Sequence, residues 1–406
     1  MHRKGDVFVV DAGNNRERVS AARRTALFLV VVVGLLTSAC ASSSSPVGVT
    51  YTLGHFPAVP TGSFSNSTAS AMQAVLDAAI DPGELPGISA TVMTADGHLW
   101  TGTAGTADEV HPVEAHSQFG IASNTKTVIA AEVMRLAEEG LLRLSDPVSQ
   151  HLSSGFHFDT NGATIENLLH MESGIPDPTF FGPTDAEANP LRGWTPEEVL
   201  ATVPPFRSKP GDHFVYEDAN YMLLGLVVQQ ATGTSVAAAL RSNVLADPRL
   251  GSMVYQPAER PKGPLALPFL NGQVRPNIIQ AGGGYLPTKA EASYANGSGC
   301  MASDSAALAL WGYLLFGGKL LSEPSLLAMT DFGNGSYGLG VFNQTKDGAW
   351  QGAGQAIGSG GWDDGGYSSA LAVLPSRGLV ISVMTNRAGD PKALAFPVAE
   401  NLAASL

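Results

Sequence analysis

Cysteine is almost missing from this chain: there are two in 406 residues. That excludes a disulfide scaffold and a cysteine-based zinc site. Positive charge is also scarce, with 23 Lys and Arg against 36 Asp and Glu and a net charge of −13. No basic footprint for nucleic acid exists. No Gly-x-Ser-x-Gly elbow and no His-Glu-x-x-His occurs, and the last histidine is His213. An α/β-hydrolase order, with its late histidine, therefore fails unless the nucleophile is a residue other than Ser123. His111, His116, His151, His157 and His170 show no metal-ligand spacing. What is present is apolar matter: hydrophobic residues make up 44% and charged ones 15%. Such a chain can bury a core.

Residues Ala26 to Leu36 form an apolar run of eleven, preceded by Arg16, Arg18, Arg23 and Arg24 and followed by Thr37, Ser38 and Ala39. This is the layout of a secretory signal, and a spanning helix needs about 20 apolar residues. Leu36-Thr37-Ser38-Ala39-Cys40 resembles a bacterial lipobox, although Thr37 stands where an aliphatic residue is usual. The resemblance implies that Cys40 is lipidated. Acyl chains would then hold an acidic domain on the extracytoplasmic face of the cell membrane, where charge alone would not. Cys300, left without a partner among small and apolar residues, reads as a buried inert thiol.

Residues 40–67 are rich in Ser, Pro and Gly and read as a tether, with the globular domain over 68–406. Thr68 to Ile80 has helical periodicity. Gly87 to Thr94 and Leu99 to Thr103 flank Asp96-Gly97, a hairpin signal. Tyr337 to Phe342, Tyr367 to Leu374 and Leu379 to Thr385 read as strands, with Arg377-Gly378 turning the last pair. Pro391 to Leu406 reads as helix. Strands at both ends with helices between predict an α+β fold: one antiparallel sheet built from both chain ends, flanked by helices, with a helical insertion lobe. The seam between the lobes is the natural place for a site.

Ser123 and Lys126 open a helix running to about Glu139. Three residues apart, they share a face that continues as Ala130, Val133, Met134 and Ala137. Glu132, Arg135, Glu138 and Glu139 mark the outer face. A capping box would want Glu or Gln at Lys126, and a helix N-terminus disfavours a cation. Burial and dipole together predict a lowered Lys126 pKa, which suits a group that must accept a proton near neutral pH.

The segment Phe119 to Val148, with its Ser-x-x-Lys, is similar to the nucleophile segment of the serine β-lactamase-related family, which includes class C β-lactamases, DD-peptidases and esterases. Leu168 to Pro176 resembles another family stretch, a turn near the site. The second family motif is Tyr-x-Asn after Pro-Gly. Here Pro210-Gly211 precedes Tyr216-Glu217-Asp218, so the tyrosine matches and aspartate replaces asparagine. The third motif, Lys or His, then Ser or Thr, then Gly, corresponds to Gly358-Ser359-Gly360-Gly361, with glycine in the place of the cation. Trp362-Asp363-Asp364 then interrupts the expected loop.

The resemblance implies a β-lactamase or DD-peptidase-like fold and an acyl-enzyme. Ser123 would be the nucleophile, with Lys126 and Tyr216 handling its proton. The backbone amides of Ser123 and Gly361 would hold the oxyanion, an arrangement worth about 100- to 1000-fold per donor. Asp218, Ser359 and Gly360 would contact substrate. No cofactor or metal is implied, and the partner is a small-molecule or peptide substrate. Loss of the cation favours an ester or a cell-wall-type peptide amide over efficient β-lactam hydrolysis. The second reading is a catalytically weakened binding protein of the cell envelope.

Overall fold

A computed structural model describes residues 54, 56–81, 85–179, 188–270, 273–274, 283–333, 335–345, 350, 354–363 and 365–406. The leader, Cys40 and Asp364 lie outside the described residues.

The domain is built on a seven-stranded sheet. Its strands are β1 (Gly62–Ser63), β2 (Gly87–Thr94), β3 (His98–Gly105), β4 (Phe342–Asn343), β5 (Ile357–Asp363), β6 (Tyr367–Leu374) and β7 (Leu379–Thr385). The order is β1-β3-β2-β7-β6-β5-β4, and every pairing is antiparallel except β1 with β3. The two chain ends meet where β2 pairs with β7, Thr91 opposite Ser382. The β2–β3 turn is tight because Gly97 takes φ +102°, which a residue with a Cβ resists.

Period-two alternation sorts the strands between two layers of helix. Ile88, Ala90, Val92, Ile381 and Val383 share one core with helices α1 (Asn66–Ala79) and α5 (Ala395–Ala404), through Met72, Leu76, Phe396 and Leu402. The opposite face packs on the helical lobe, which holds α2 (Thr125–Glu138), α3 (Ala219–Thr232) and α4 (Ser305–Phe316). α4 is apolar all round and almost wholly buried, so it lies in the interior rather than on a surface. Its Ser305 hydroxyl meets β2, lying 2.8 Å from Ser89 Oγ and 2.9 Å from Thr91 Oγ1.

The structure corrects four readings made from sequence. The tether is shorter than 40–67. Phe56 is buried against Tyr313, and Ser63 pairs with Leu99, so the fold begins well before residue 68. Tyr337 to Phe342 is not a strand. Gly340 takes φ +77° and turns the chain, leaving a single Tyr337–Phe342 bridge and the two-residue β4. Glu132 is fully buried rather than on an outer face, because Asn243 after the helix Val236–Ser242 covers it. Finally, Ser123 sits in a 3₁₀ turn, Ala122–Asn124, that precedes the α-helix. Cys300 is buried as read from sequence, and burial pushes its thiol pKa up.

Candidate active site

The turn that carries Ser123 is strained and clamped. Ala122 takes φ +43°, which costs a residue with a Cβ about 1–3 kcal/mol and persists only where the surroundings over-determine it. They do so here. Ile121 N–H donates to Met301 O, Ser369 Oγ donates to Ile121 O, and Asn124 Nδ2 donates to Ser369 Oγ. Ser369 belongs to β6, so the nucleophile turn is pinned to the sheet.

Lys126 enters from the first turn of α2 with 1% of its surface exposed. Its Nζ donates to Ser123 Oγ at 2.9 Å, to Asp218 Oδ1 at 2.6 Å and to Ser298 O at 2.8 Å. Three acceptors thus receive the three N–H bonds of an ammonium. Burial by itself would push its pKa down, but the Asp218 carboxylate and Tyr216 outweigh burial and hold the amine above the ordinary lysine range. The expected lowering is overturned. The reason is the residue where the family has asparagine: a carboxylate at contact distance favours the charged form.

Asp218 stands at the N-cap position of α3, yet its side chain makes no cap bond. Asp177 Oδ1 accepts from Ala219 N–H in its place, which frees Asp218 to reach Lys126. Asp218 therefore acts on the amine; it is not among the side chains lining the cleft. The ring centre of Tyr216 is 4.9 Å from Lys126 Nζ, and Tyr216 lines the cleft beside Ser123. Burial raises its phenol pKa, Lys126 opposes that, and Asp218 adds to it. Its loop is held by the stretch that sequence placed near the site: Val215 N–H donates to Met171 O and Gly211 N–H to Glu172 O.

The third motif lies on β5, beside Ser123. Gly361 approaches the nucleophile turn so closely that a Cβ there would stand 2.2 Å from Ile121 O and 2.8 Å from Ser123 N. Ser123 and Gly361 are thus backbone neighbours, as the oxyanion reading requires. Ser359 departs from expectation: it is buried and does not line the cleft, whereas Gly360 and Trp362 do. Alternation along a strand turns Ser359 to the other face. Gly358 takes φ +148°, and a Cβ on it would lie 1.9 Å from Leu371 O and 2.8 Å from Gln344 Nε2. No side chain, cationic or otherwise, fits there.

These elements enclose a cleft of about 200 Å³ lined by Ser123, Tyr216, Gly360 and a set of residues that sequence reasoning did not find. Phe342 stacks on Tyr216 with ring centres 5.8 Å apart, while Pro391 and Phe396 line the cleft against Gly360. Asp390 and Lys392 stand at the rim, and Gln344 lies beside Gly358. Trp362, which sequence had singled out without a role, is half exposed on the same wall. Asp363 shapes the β5–β6 turn by accepting from Gly366 and Tyr367 N–H. The rim residues carry no motif; only the sheet brings the segment before α5 to the site.

A family model described as beta-lactamase matches residues 72–404. The chain belongs to the beta-lactamase family. Protein flp of Staphylococcus aureus is 31% identical over 178 residues, which is 42% of this chain and 35% of that protein. The match thus takes in about a third of that relative's length. Among solved structures, a D-stereospecific amidohydrolase from Streptomyces sp. aligns with TM-score 0.66 at 25% identity, covering 80% of this chain and 97% of that one. A D-amino acid amidase from Ochrobactrum anthropi SV3 aligns with TM-score 0.69 at 21% identity, covering 83% and 98%. At that identity the second likeness speaks for the beta-lactamase fold alone.

Proposed function

We propose that this beta-lactamase family member is a serine hydrolase that acts through an acyl-enzyme on an amide or ester of amino-acid or peptide type. The observation that carries the reading is the buried Lys126 Nζ, 2.9 Å from Ser123 Oγ, at the edge of a cleft. A structural lysine would not be brought out of water to face a hydroxyl on a strained turn. In the reaction Ser123 Oγ bonds to the substrate carbonyl carbon, and the C=O pair moves onto oxygen. The amides of Ser123 and Gly361 receive that charge. The serine proton passes into the Lys126, Tyr216 and Asp218 cluster and returns to the departing nitrogen or oxygen as its bond to carbon breaks. Water then attacks the ester on Ser123, giving the acid and the free serine.

The amino-acid or peptide character of the substrate draws support from the Streptomyces amidohydrolase likeness, and its ranking above a β-lactam from Gly358, which leaves no place for the family's third-motif cation. The same reading has the protein exported by residues 1–39 and held at the membrane through lipid on Cys40. Steady-state and burst kinetics on an activated ester test the enzyme assignment. A burst equal to the enzyme concentration, absent from Ser123→Ala, is the expected result. Equal ester turnover by both proteins overturns the reading.

A further inference from the structure

Asp218 stands between two residues that are both fastened to Asp177. On one side, Asp177 N–H donates to Glu217 Oε2 at 2.8 Å. On the other, Ala219 N–H donates to Asp177 Oδ1 at 3.0 Å. The two bonds run in opposite directions, so Asp177 clasps the chain before and after Asp218. The clasp is backed by its neighbours. Ser173 Oγ donates to Asn220 Oδ1 at 2.6 Å. Arg207 donates to Glu217 Oε1 at 2.6 Å from its guanidinium and to Gly174 O from its backbone. Residues 173–177 and the start of α3 are thus tied together.

Without this clasp the helix would compete for Asp218. Aspartate is among the best N-cap residues, and Asp218 holds that position without a cap bond. Its backbone is already helical there, at φ −65° and ψ −29°, whereas a capping residue is usually extended. Asp177 supplies the cap from another segment, and Asp218 reaches Lys126 Nζ instead. The titratable groups that act on Asp177 are Glu217, Asp218 and Tyr294 of the helix Lys289–Ala295; Arg207 pairs with Glu217 and Lys126 with Asp218. Burial first, then the Asp218 and Glu217 anions, push the Asp177 carboxyl up to about 8. Near neutral pH it is an uncharged acid whose Oδ1 still accepts from Ala219.

We propose that Asp177 is a positioning residue for the acylation step: by clasping Glu217 and capping α3 it keeps the Asp218 carboxylate on Lys126, and so sets the charge of the amine that faces Ser123. Asp177 touches neither Ser123 nor the cleft; it acts through Asp218 alone. This inference rests on the acyl-enzyme reading and adds the residue that aims its charge control.

The test is a stopped-flow pH profile of acylation by an activated ester. It compares wild type with Asp177→Ala, Asp177→Asn, Asp218→Asn and the Asp177→Ala plus Asp218→Asn double variant. In Asp177→Ala the Ala219 N–H is freed, Asp218 turns to cap it, and Lys126 loses its anion. The acid limb is then expected at least about one pH unit lower than in wild type. Asp177→Asn keeps an oxygen for Ala219 and matches the uncharged acid, so the limb is expected back at its wild-type place. The double variant is expected to match Asp218→Asn alone, because both changes act through one ion pair. An unmoved limb in Asp177→Ala overturns the inference, and so do additive shifts in the double variant. A limb that Asp177→Asn moves as far as Asp177→Ala also overturns it, since the cap would then be irrelevant. Should Asp177→Ala not fold, Glu217→Ala opens the same clasp at its other bond and must lower the limb likewise; an unmoved limb there overturns the inference. A fluorophosphonate adduct on wild-type Ser123 separates the two levels. With the adduct and an unmoved limb, only the role of Asp177 falls; without the adduct, the acyl-enzyme reading falls with it.

Discussion

Lys126 Nζ lies closer to Asp218 Oδ1, at 2.6 Å, than to Ser123 Oγ, at 2.9 Å. The carboxylate therefore sets the resting charge of the amine, and the amine gives its hydrogen to the serine instead of taking one. Where a neutral Lys126 is needed to receive the serine proton, the rate of acylation rises with pH through the amine's raised pKa. Asp218→Asn removes the anion and leaves burial to push that pKa down. The acid limb of the acylation rate should then move at least about one pH unit lower, since a contact ion pair shifts pKa by 1–3 units. A stopped-flow pH profile with an activated ester measures this, and an unmoved limb contradicts it.

Glu132 lies on the same helix, with Oε1 bonded to Asn243 Nδ2 at 2.7 Å and Oε2 unpartnered. Burial pushes its pKa up from 4.5 to about 7. A carboxyl that binds its proton more tightly when folded stabilises the fold at low pH. That stability is fully present below about pH 4.5 and is lost as pH rises to about 7. At 1.36 kcal/mol per unit the loss is at most about 3 kcal/mol. Glu132→Gln should flatten this part of the curve and raise Tm at pH 8 relative to wild type. Urea melts at pH 5 and pH 8 check it; a variant with the wild-type slope between the two contradicts it.

Gly358→Lys would place a cation at the motif position where relatives carry one. The backbone forbids the exchange, because φ is +148° and a Cβ would meet Leu371 O at 1.9 Å. Strain and overpacking each cost about 1–3 kcal/mol. The variant should lose about 3 kcal/mol of stability and gain no β-lactam hydrolysis. Calorimetry and nitrocefin turnover report the two outcomes; a stable variant with new β-lactamase activity contradicts the account.

Trp362 leaves half of its surface exposed at the cleft wall, one residue beyond Gly361. An aromatic of this kind contributes about 1.5–3 kcal/mol when a ligand covers it. Trp362→Ala should raise KM for aromatic acyl esters by about 10-fold or more, with a much smaller change for an acetyl ester. Matched kinetics on the two esters check this, and equal KM increases on both contradict a packing role.

The legible part of the molecule was the part written locally. Asp96-Gly97, flanked by Gly87 to Thr94 and Leu99 to Thr103, announced the hairpin. Ser123 and Lys126, three residues apart, announced a shared face. What sequence did not reveal depends on distant segments. The charge of Lys126 is set by Asp218, 92 positions away. Glu132 looked solvated because the helical period names a second face without saying whether another helix covers it. Gln344, Phe342, Lys392 and Phe396 carry no pattern of their own; they matter because β4 and the segment before α5 come together beside β5.

The central claim is that Ser123 is the nucleophile. Intact-mass spectrometry after incubation with a fluorophosphonate, followed by peptide mapping, tests it most directly. The account predicts one adduct per chain, carried by the peptide containing Ser123 and absent from Ser123→Ala. An unmodified wild-type protein, or an adduct mapped to any other residue, contradicts it.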